Sequence, residues 1–445
     1  MTGAQEPEVM STKQVRIAAL AERFPQRAFT SLAHHIDAQW LRTAYLMTRR
    51  DGAVGIDGQT ADDFARDFEA NVQRLLEAAK SGRYRAPPVR RVNIPKGDGR
   101  STRPIGIPTF EDKVLQRAVV ALLEPLYEHD FHECSYGFRP GRSAHQAIGT
   151  VRNGLMSMGG GWVIDLDIKA FFDTIDHQHL RAFLQQRVKD GVILRLIGKW
   201  LKAGVLDAGQ WQKGEIGSPQ GGVISPLLAN VYLHYVLDEW FEQDVKPRLR
   251  GRAFSVRFAD DAVLAFSNEA DARKVLEVLA KRFARFGLTL HPTKTRLVRF
   301  RPHRELRAET FDFLGFTYYW GKSLRGRWII KQKTAKDRFK RGLKRISLWC
   351  RANRHLPLRD QHRQLCRKVM GHYAYYGITH NIESLQRFQY RVQTTWIKWL
   401  RRRSQRGWFP WEKARQLLLT LPLPRGVKLK SCVWREVERV AYPAD

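Results

Sequence analysis

Four aspartates stand in two patterns that can do chemistry. Trp162-Val163-Ile164-Asp165-Leu166-Asp167-Ile168 alternates polar and apolar residues, so on a strand Asp165 and Asp167 share one face while Ile164, Leu166 and Ile168 fill the other. Two acids along one strand face repel unless something positive sits between them. The second pattern is Val256-Arg257-Phe258-Ala259-Asp260-Asp261-Ala262-Val263-Leu264, two strand-like apolar runs flanking an acid pair, which reads as a hairpin with adjacent carboxylates at its tip. Hard divalent cations such as Mg²⁺ take carboxylate oxygens together with substrate phosphates. A strand-end Asp beside a hairpin Asp-Asp can hold two such ions a few ångströms apart, the arrangement for in-line phosphoryl displacement. Taken alone, Asp260-Asp261 reads first as a mere polar turn, and the neighbouring segments overturn that reading.

The charge balance points the same way. The 445 residues carry 77 Lys+Arg against 44 Asp+Glu, a formal net charge of +33. Such a surface repels itself unless a polyanion neutralises it, and nucleic acid is the partner to expect, since each phosphate contact releases counterions. An anionic membrane ranks below it. No stretch approaches the roughly 18 apolar residues of a spanning helix, and the basic residues are spread over several segments. With 43% hydrophobic and 11% aromatic residues the chain is globular. The start, Met1 to about Thr12, is polar and expected to be mobile. It has no apolar core of a signal peptide, so a cytoplasmic protein is expected. Cys134, Cys350, Cys366 and Cys432 form no CxxC pair, which argues against a zinc site and a disulfide framework.

Several elements must position the acids. Val15 to Arg50 and Thr60 to Ser81 carry apolar residues at helical spacing, separated by the turn Gly52-Ala53-Val54-Gly55-Ile56-Asp57-Gly58. Val89 to Lys96 reads as a strand entering the turn Gly97-Asp98-Gly99. Pro104 to Pro108 is too rich in proline for a helix, whereas Glu111 to Tyr127 is helical, with Val114, Ala118, Leu122 and Leu126 on one face. From Gly161 to about Phe316 strands and helices alternate, the signature of an α/β core. Beyond a boundary near residue 325 the chain becomes basic and helical. Gln332 to Arg351 puts Phe339, Leu343, Ile346 and Cys350 on an apolar stripe and covers the rest with Lys333, Lys336, Lys340, Arg341, Lys344 and Arg345. Ile382 to Arg403 repeats the theme with Leu385, Phe388, Val392, Trp396 and Leu400, ending in Arg401-Arg402-Arg403.

The order of these segments resembles group II intron reverse transcriptases. The longest match is Gly217-Ser218-Pro219-Gln220-Gly221-Gly222-Val223-Ile224-Ser225-Pro226-Leu227-Leu228-Ala229-Asn230-Val231-Tyr232-Leu233. Ser135-Tyr136-Gly137-Phe138-Arg139-Pro140-Gly141-Arg142-Ser143, Asp167-Ile168-Lys169-Ala170-Phe171-Phe172-Asp173, Arg257 to Asp261, Leu288 to Thr295 and Phe311-Asp312-Phe313-Leu314-Gly315-Phe316 also match, in family order. The resemblance implies an α/β right-hand polymerase fold with an antiparallel palm sheet. Residues 13–160 would form an N-terminal extension and fingers, 161–325 the palm, and 326–445 a helical thumb/maturase domain with a basic tail. Gly371-His372-Tyr373-Ala374-Tyr375-Tyr376-Gly377 is similar to the family's aromatic signature there. It reads equally as a stripe packing a helix into the thumb core.

Roles carried over by this resemblance are expectations. Asp167, Asp260 and Asp261 would hold two Mg²⁺, with Mn²⁺ as a possible substitute, for an RNA-directed DNA polymerase. Phe172 would crowd the ribose 2′ carbon and favour deoxynucleotides. Lys96 and Arg103 would hold the incoming triphosphate, Gln220 would line the nucleotide pocket, and Lys294 would protonate the pyrophosphate leaving group. Structured RNA, group II intron RNA first, a DNA or RNA primer and dNTPs would be the partners. The cations named above on the two basic helices are the candidate RNA contacts. Asp165 would tune the site without binding metal. Asp173 and Asp176 read as helix caps, and His177 and His179 as polar surface rather than ligands.

Two departures stand out. Phe258 replaces the family's usual Tyr, which removes a hydroxyl while keeping the ring. The paired Cys and His ligands of the zinc endonuclease carried by some members are absent. Two other readings compete: a non-catalytic RNA-binding maturase, opposed by the intact acids, and a domesticated relative using the same chemistry in DNA repair or phage defence. A viral RNA polymerase fits less well, since those carry Gly before the paired acids.

Overall fold

A computed structural model describes residues 6–95, 102–207, 210–212, 221–302, 309–403 and 410–425. The described strands, in chain order, are β1 (Val89–Pro95), β2 (Thr102–Ile107), β3 (Gly161–Leu166), β4 (Val205–Asp207), β5 (Gln210–Gln212), β6 (Ala253–Phe258), β7 (Asp261–Phe266), β8 (Arg296–Phe300), β9 (Phe311–Phe313), β10 (Phe316–Lys322) and β11 (Trp328–Thr334). They form three sheets, ordered β2-β1-β4-β5, β6-β7-β3-β8 and β11-β10-β9. Helices alternate with strands up to β8, and helices dominate after β11. The chain is thus an α/β fold with antiparallel strand pairs and a helical C-terminal region, as its sequence implies.

Contacts divide it into two units. The first comprises residues 1–143, 166–264 and 270–296. Its central helix, Phe110–Asp130, starts at Thr109, whose side chain accepts from the Asp112 amide. Val114, Leu115, Ala118, Leu122 and Leu126 are buried along it, and the Trp40 indole donates to the Ala118 carbonyl at 3.0 Å. The expected helix over Val15 to Arg50 is two helices, Glu6–Arg23 and Ala38–Met47. The break has a local cause: Pro25 follows the first helix, and the Asp37 carboxylate accepts from the Trp40 amide to start the second. Thr60 to Ser81 likewise divides, into Ala61–Arg66 and Phe68–Ser81, at Asp67. Thr60 and Asp63 form a reciprocal capping box at the first of these. In the first sheet β1 and β2 pair antiparallel with Ile94 opposite Arg103, while β4 runs parallel to β1.

The second unit comprises residues 144–165, 265–269 and 297–445. In its three-stranded sheet β10 pairs antiparallel with both β9 and β11, so the boundary expected near residue 325 falls in the β10–β11 turn. Helices Lys336–Ala352, Leu358–Tyr376 and Ile382–Leu400 surround a core of Leu365, Val369, Tyr373, Leu385, Phe388, Val392, Trp396 and Leu400. The buried Trp396 indole donates to Gln361 Oε1 at 2.9 Å. The first basic helix begins later than the apolar spacing suggested. Gln332 to Thr334 belong to β11, whose burial alternates with period two, and the Thr334 amide is committed to Asn381 Oδ1 at 2.8 Å. Lys333 therefore lies on a strand, with its ammonium 5.0 Å from the Tyr319 ring centroid. The second basic helix ends at Leu400, and Arg401, Arg402 and Arg403 follow it.

Candidate active site

Asp167 leaves the end of β3 and is tied to a segment far along the chain. Its carbonyl accepts from the His291 amide at 2.8 Å and from the Thr295 hydroxyl at 3.1 Å. Ile168 bridges Leu290, and the Lys169 amide donates to the Thr289 carbonyl at 2.9 Å. This lacing sets Lys294 against the carboxylate: its ammonium donates to Asp167 Oδ2 at 2.9 Å. The pair is partly open to solvent, with side-chain exposures of 59% for Lys294 and 30% for Asp167. Directly after it, the turn Phe171–Thr174 seats Phe171 in the core and leaves Phe172 half-buried, its ring 5.3 Å from that of Phe171.

Asp260 lies in the connection between β6 and β7, and Asp261 follows it as the first residue of β7. Ala259 and Asp260 form a two-residue turn, Ala259 having φ +57°, and Asp261 is exposed. Burial pushes the Asp260 carboxyl above the ordinary aspartate range. The Arg103 cation lowers it, the Asp167 carboxylate raises it further, and the Arg257 cation lowers it. The fold thus brings Asp167, Asp260, Arg103 and Lys294, from four separate segments, into one electrostatic neighbourhood.

Oxygen donors without nitrogen or sulfur suit a hard divalent cation, and two mutually repelling carboxylates gain most from one. Asp167 and Asp260, with Asp261 beside them, are the residues that would hold it. Among the described residues no three or more His, Cys, Asp or Glu side chains are gathered into a preformed cage, and the Lys294 ammonium balances Asp167.

The other expected residues divide. Arg103 is exposed on β2. Lys96 and Gln220 lie outside the described residues. Next to the latter, Gly221 has φ +111°, and a Cβ there would lie 2.5 Å from Ile105 and 2.7 Å from the Gly106 carbonyl oxygen. Only glycine lets this segment run so close to β2. Asp176 caps the helix His177–Arg187 by accepting from the Gln178 and His179 amides, while Asp173 sits within the preceding turn. His179 packs against Phe286, ring centroids 5.0 Å apart.

Within the second unit, Lys336, Lys340 and Lys344 recur every four residues as one exposed line on their helix, and Arg345 is exposed as well. Arg341 is half-buried and paired with Asp337 Oδ2 at 3.1 Å. Arg402 lies 5.5 Å over the Trp399 ring, and Arg403 donates to the His355 carbonyl at 3.0 Å. Within Gly371 to Gly377 the aromatic rings pack inward while Gly371 and Ala374 stay exposed. Tyr373 is fully buried, His372 stacks on Phe388 at 3.8 Å, and the Tyr375 hydroxyl donates to the Leu314 carbonyl at 2.7 Å.

Sequence reasoning assigned no task to Arg257, Asp238, Asn230 or Ser135, all buried beneath the Asp260 turn. One signal was available: an arginine inside an apolar strand demands a buried partner.

Over 233 residues the chain is 38% identical to Protein YkfC of Escherichia coli strain K12, covering 51% of this chain and 61% of that protein. It is 38% identical over 282 residues to the group II intron-encoded protein LtrA of Lactococcus lactis subsp. cremoris, covering 60% of this chain and 46% of LtrA. It therefore spans about half the length of the curated relatives it matches. Among solved structures, telomerase from Candida albicans in complex with a fragment of telomeric RNA aligns with a TM-score of 0.44 and 15% identity, over 81% of this chain and 66% of that one. That likeness is too loose to carry an argument. A family model described as "Reverse transcriptase (RNA-dependent DNA polymerase)" matches residues 94–318, just over half of the chain, a span that includes Asp167, Asp260 and Asp261. The chain belongs to the reverse transcriptase family.

Proposed function

We infer that this protein is an RNA-directed DNA polymerase that copies RNA into cDNA and also binds group II intron RNA to assist splicing and retrohoming. The observation that carries the reading is the convergence of Asp167 and Asp260 from distant segments, the Asp167 carboxylate raising the cost of the Asp260 charge. Two Mg²⁺ ions, or Mn²⁺ in their place, held by Asp167, Asp260 and Asp261, would supply the Lewis acidity that activates a primer 3′ hydroxyl and stabilises leaving pyrophosphate.

The chain's own residues supply the rest. Arg103, with Lys96, neutralises the incoming triphosphate. By the family resemblance, Phe172 would crowd the ribose 2′ carbon and favour deoxynucleotides, and Gln220 would line the nucleotide pocket. Lys294, already at Asp167 Oδ2, is a proton source for the leaving group. Residues 13–160 and 161–325 serve as fingers and palm, and 326–445 as the thumb. The exposed line of Lys336, Lys340 and Lys344, with Lys333, Arg345 and the Arg401 to Arg403 run, meets RNA phosphates.

Primer extension on an RNA template with Mg²⁺ and dNTPs tests the reading, comparing the native chain with Asp260→Ala plus Asp261→Ala. Extension by the native chain alone supports it. Tight binding of structured RNA by both, with extension by neither, replaces it with the RNA-binding maturase.

A further inference from the structure

Arg257 is the charged residue of β6, and it is 1% exposed. Its Nε donates to Asp238 Oδ1 at 2.9 Å and Oδ2 at 3.0 Å, and its Nη2 to Asp238 Oδ2 at 2.5 Å, closing a two-pronged ion pair. Nη2 also donates to Ser135 Oγ at 2.8 Å, and Nη1 to Asn230 Oδ1 at 2.9 Å. The remaining contact is to the turn itself: Nη1 donates to the Ala259 carbonyl at 3.1 Å.

Each partner is held in turn. Asp238, also 1% exposed, lies in a widened helical turn in which the Glu239 amide bonds the His234 carbonyl five residues back. Such a widened turn is costly and collects at functional sites. Asn230 donates to the Gly137 carbonyl at 2.7 Å. The backbone at Gly137 comes so close that a Cβ would lie 2.3 Å from the Ala259 nitrogen. The Arg257 amide donates to the Cys134 carbonyl at 2.7 Å, and its carbonyl accepts from the Tyr136 amide at 2.8 Å. Ala259 itself has φ +57°, a left-handed conformation that alanine adopts only when its surroundings impose it.

We propose that Arg257, locked by Asp238, is a positioning residue: it fixes the left-handed Ala259 turn and so aims the Asp260 carboxylate. Packing alone does not require this pair, because a buried ion pair can be exchanged for apolar residues of similar volume without loss of stability. What apolar residues cannot do is hold the Ala259 carbonyl and the Asp238, Asn230 and Ser135 side chains at once. The proposal rests on the reading of Asp260 as a metal-holding acid.

The test is the double variant Arg257→Met plus Asp238→Leu in the full chain, with Arg257→Lys as a second variant that keeps the charge but loses the fork. Four quantities are measured: unfolding temperature, kcat and KM for one dNTP on an RNA template, and the Kd for Mn²⁺. For the double variant the expectation is an unfolding temperature lowered by the unpaired Asn230, Ser135 and Ala259 groups but still above the assay temperature, and a KM within about threefold, with kcat lower by about 100-fold, the cost of a misaimed group. Its Mn²⁺ Kd should rise about tenfold. For Arg257→Lys, kcat should fall about tenfold. Native kcat and Mn²⁺ affinity in either folded variant overturns the proposal, as does a kcat that falls only in step with the unfolding temperature. Should the native chain extend no primer, the polymerase reading fails by itself and Mn²⁺ decides: a tenfold weaker Kd in the double variant supports positioning, whereas an unchanged Kd, or no Mn²⁺ binding by the native chain, overturns it.

Discussion

The two units bury different things. The first buries ion pairs and carboxylates in hydrogen-bonded networks: Arg257 with Asp238 beneath the Asp260 turn, Arg187 with Asp130, and Asp190 accepting from four backbone amides. The helical core of the second is mainly aliphatic and aromatic, and its cations face outward. Apolar packing is non-directional and tolerates small shifts, whereas a forked ion pair fixes both distance and angle. The first arrangement suits a site whose carboxylates must be aimed. The second suits a surface that needs only a field of positive charge.

Breaking each unit in its own idiom separates them. The largest effect is expected from Asp260→Asn: a loss of kcat on the order of 10⁴-fold, roughly 5–6 kcal/mol of barrier, with little change in unfolding temperature or RNA affinity. Trp396→Ala should instead cost about 3–5 kcal/mol of stability by opening a cavity in the helical core, read by thermal or denaturant unfolding.

Two buried titratable groups, one in each unit, sharpen the contrast, because they give opposite pH slopes. Asp112, 2% exposed and bonded to the Tyr84 hydroxyl, is pushed up to about 7 by burial. The folded state keeps a proton there that the unfolded chain releases, so its contribution is full below about pH 4 and declines as pH rises to about 7, by on the order of 4 kcal/mol. His372, stacked on Phe388, is pushed down to about 4 by burial. Its contribution is full above about pH 6.5 and is lost as pH falls towards 4. Asp112→Asn should flatten the first slope and His372→Phe the second, measured as unfolding free energy against pH. The smallest effect is expected from Lys336→Ala, Lys340→Ala and Lys344→Ala combined. They should reduce the slope of log affinity against log salt for RNA by about 0.7–0.9 for each phosphate no longer neutralised, leaving single-turnover chemistry intact.

Much of this was legible in the sequence because its signals are local. Alternation around Asp167 and the paired apolar runs around Asp260 describe strand ends and a turn, and both acids lie at such places. The stripe of Leu385, Phe388, Val392, Trp396 and Leu400 named a buried helix face in advance. What escaped was set by partners distant in the chain. Nothing near Gln332 announces that it lies on a strand, since that depends on pairing with β10 and on Asn381. Nothing near Arg257 names Asp238, because a widened helical turn sets that residue's direction. The aromatic run Gly371 to Gly377 read two ways until its neighbours were known, and in the fold it packs the core.

The central claim is that Asp167 and Asp260 form one catalytic centre for copying RNA into DNA. It is tested most directly by single-turnover incorporation of one dNTP opposite an RNA template base, comparing native protein with Asp167→Asn, with template–primer binding measured in the same samples. The account predicts full binding by both and incorporation by the native chain alone. Incorporation by Asp167→Asn at the native rate would contradict it.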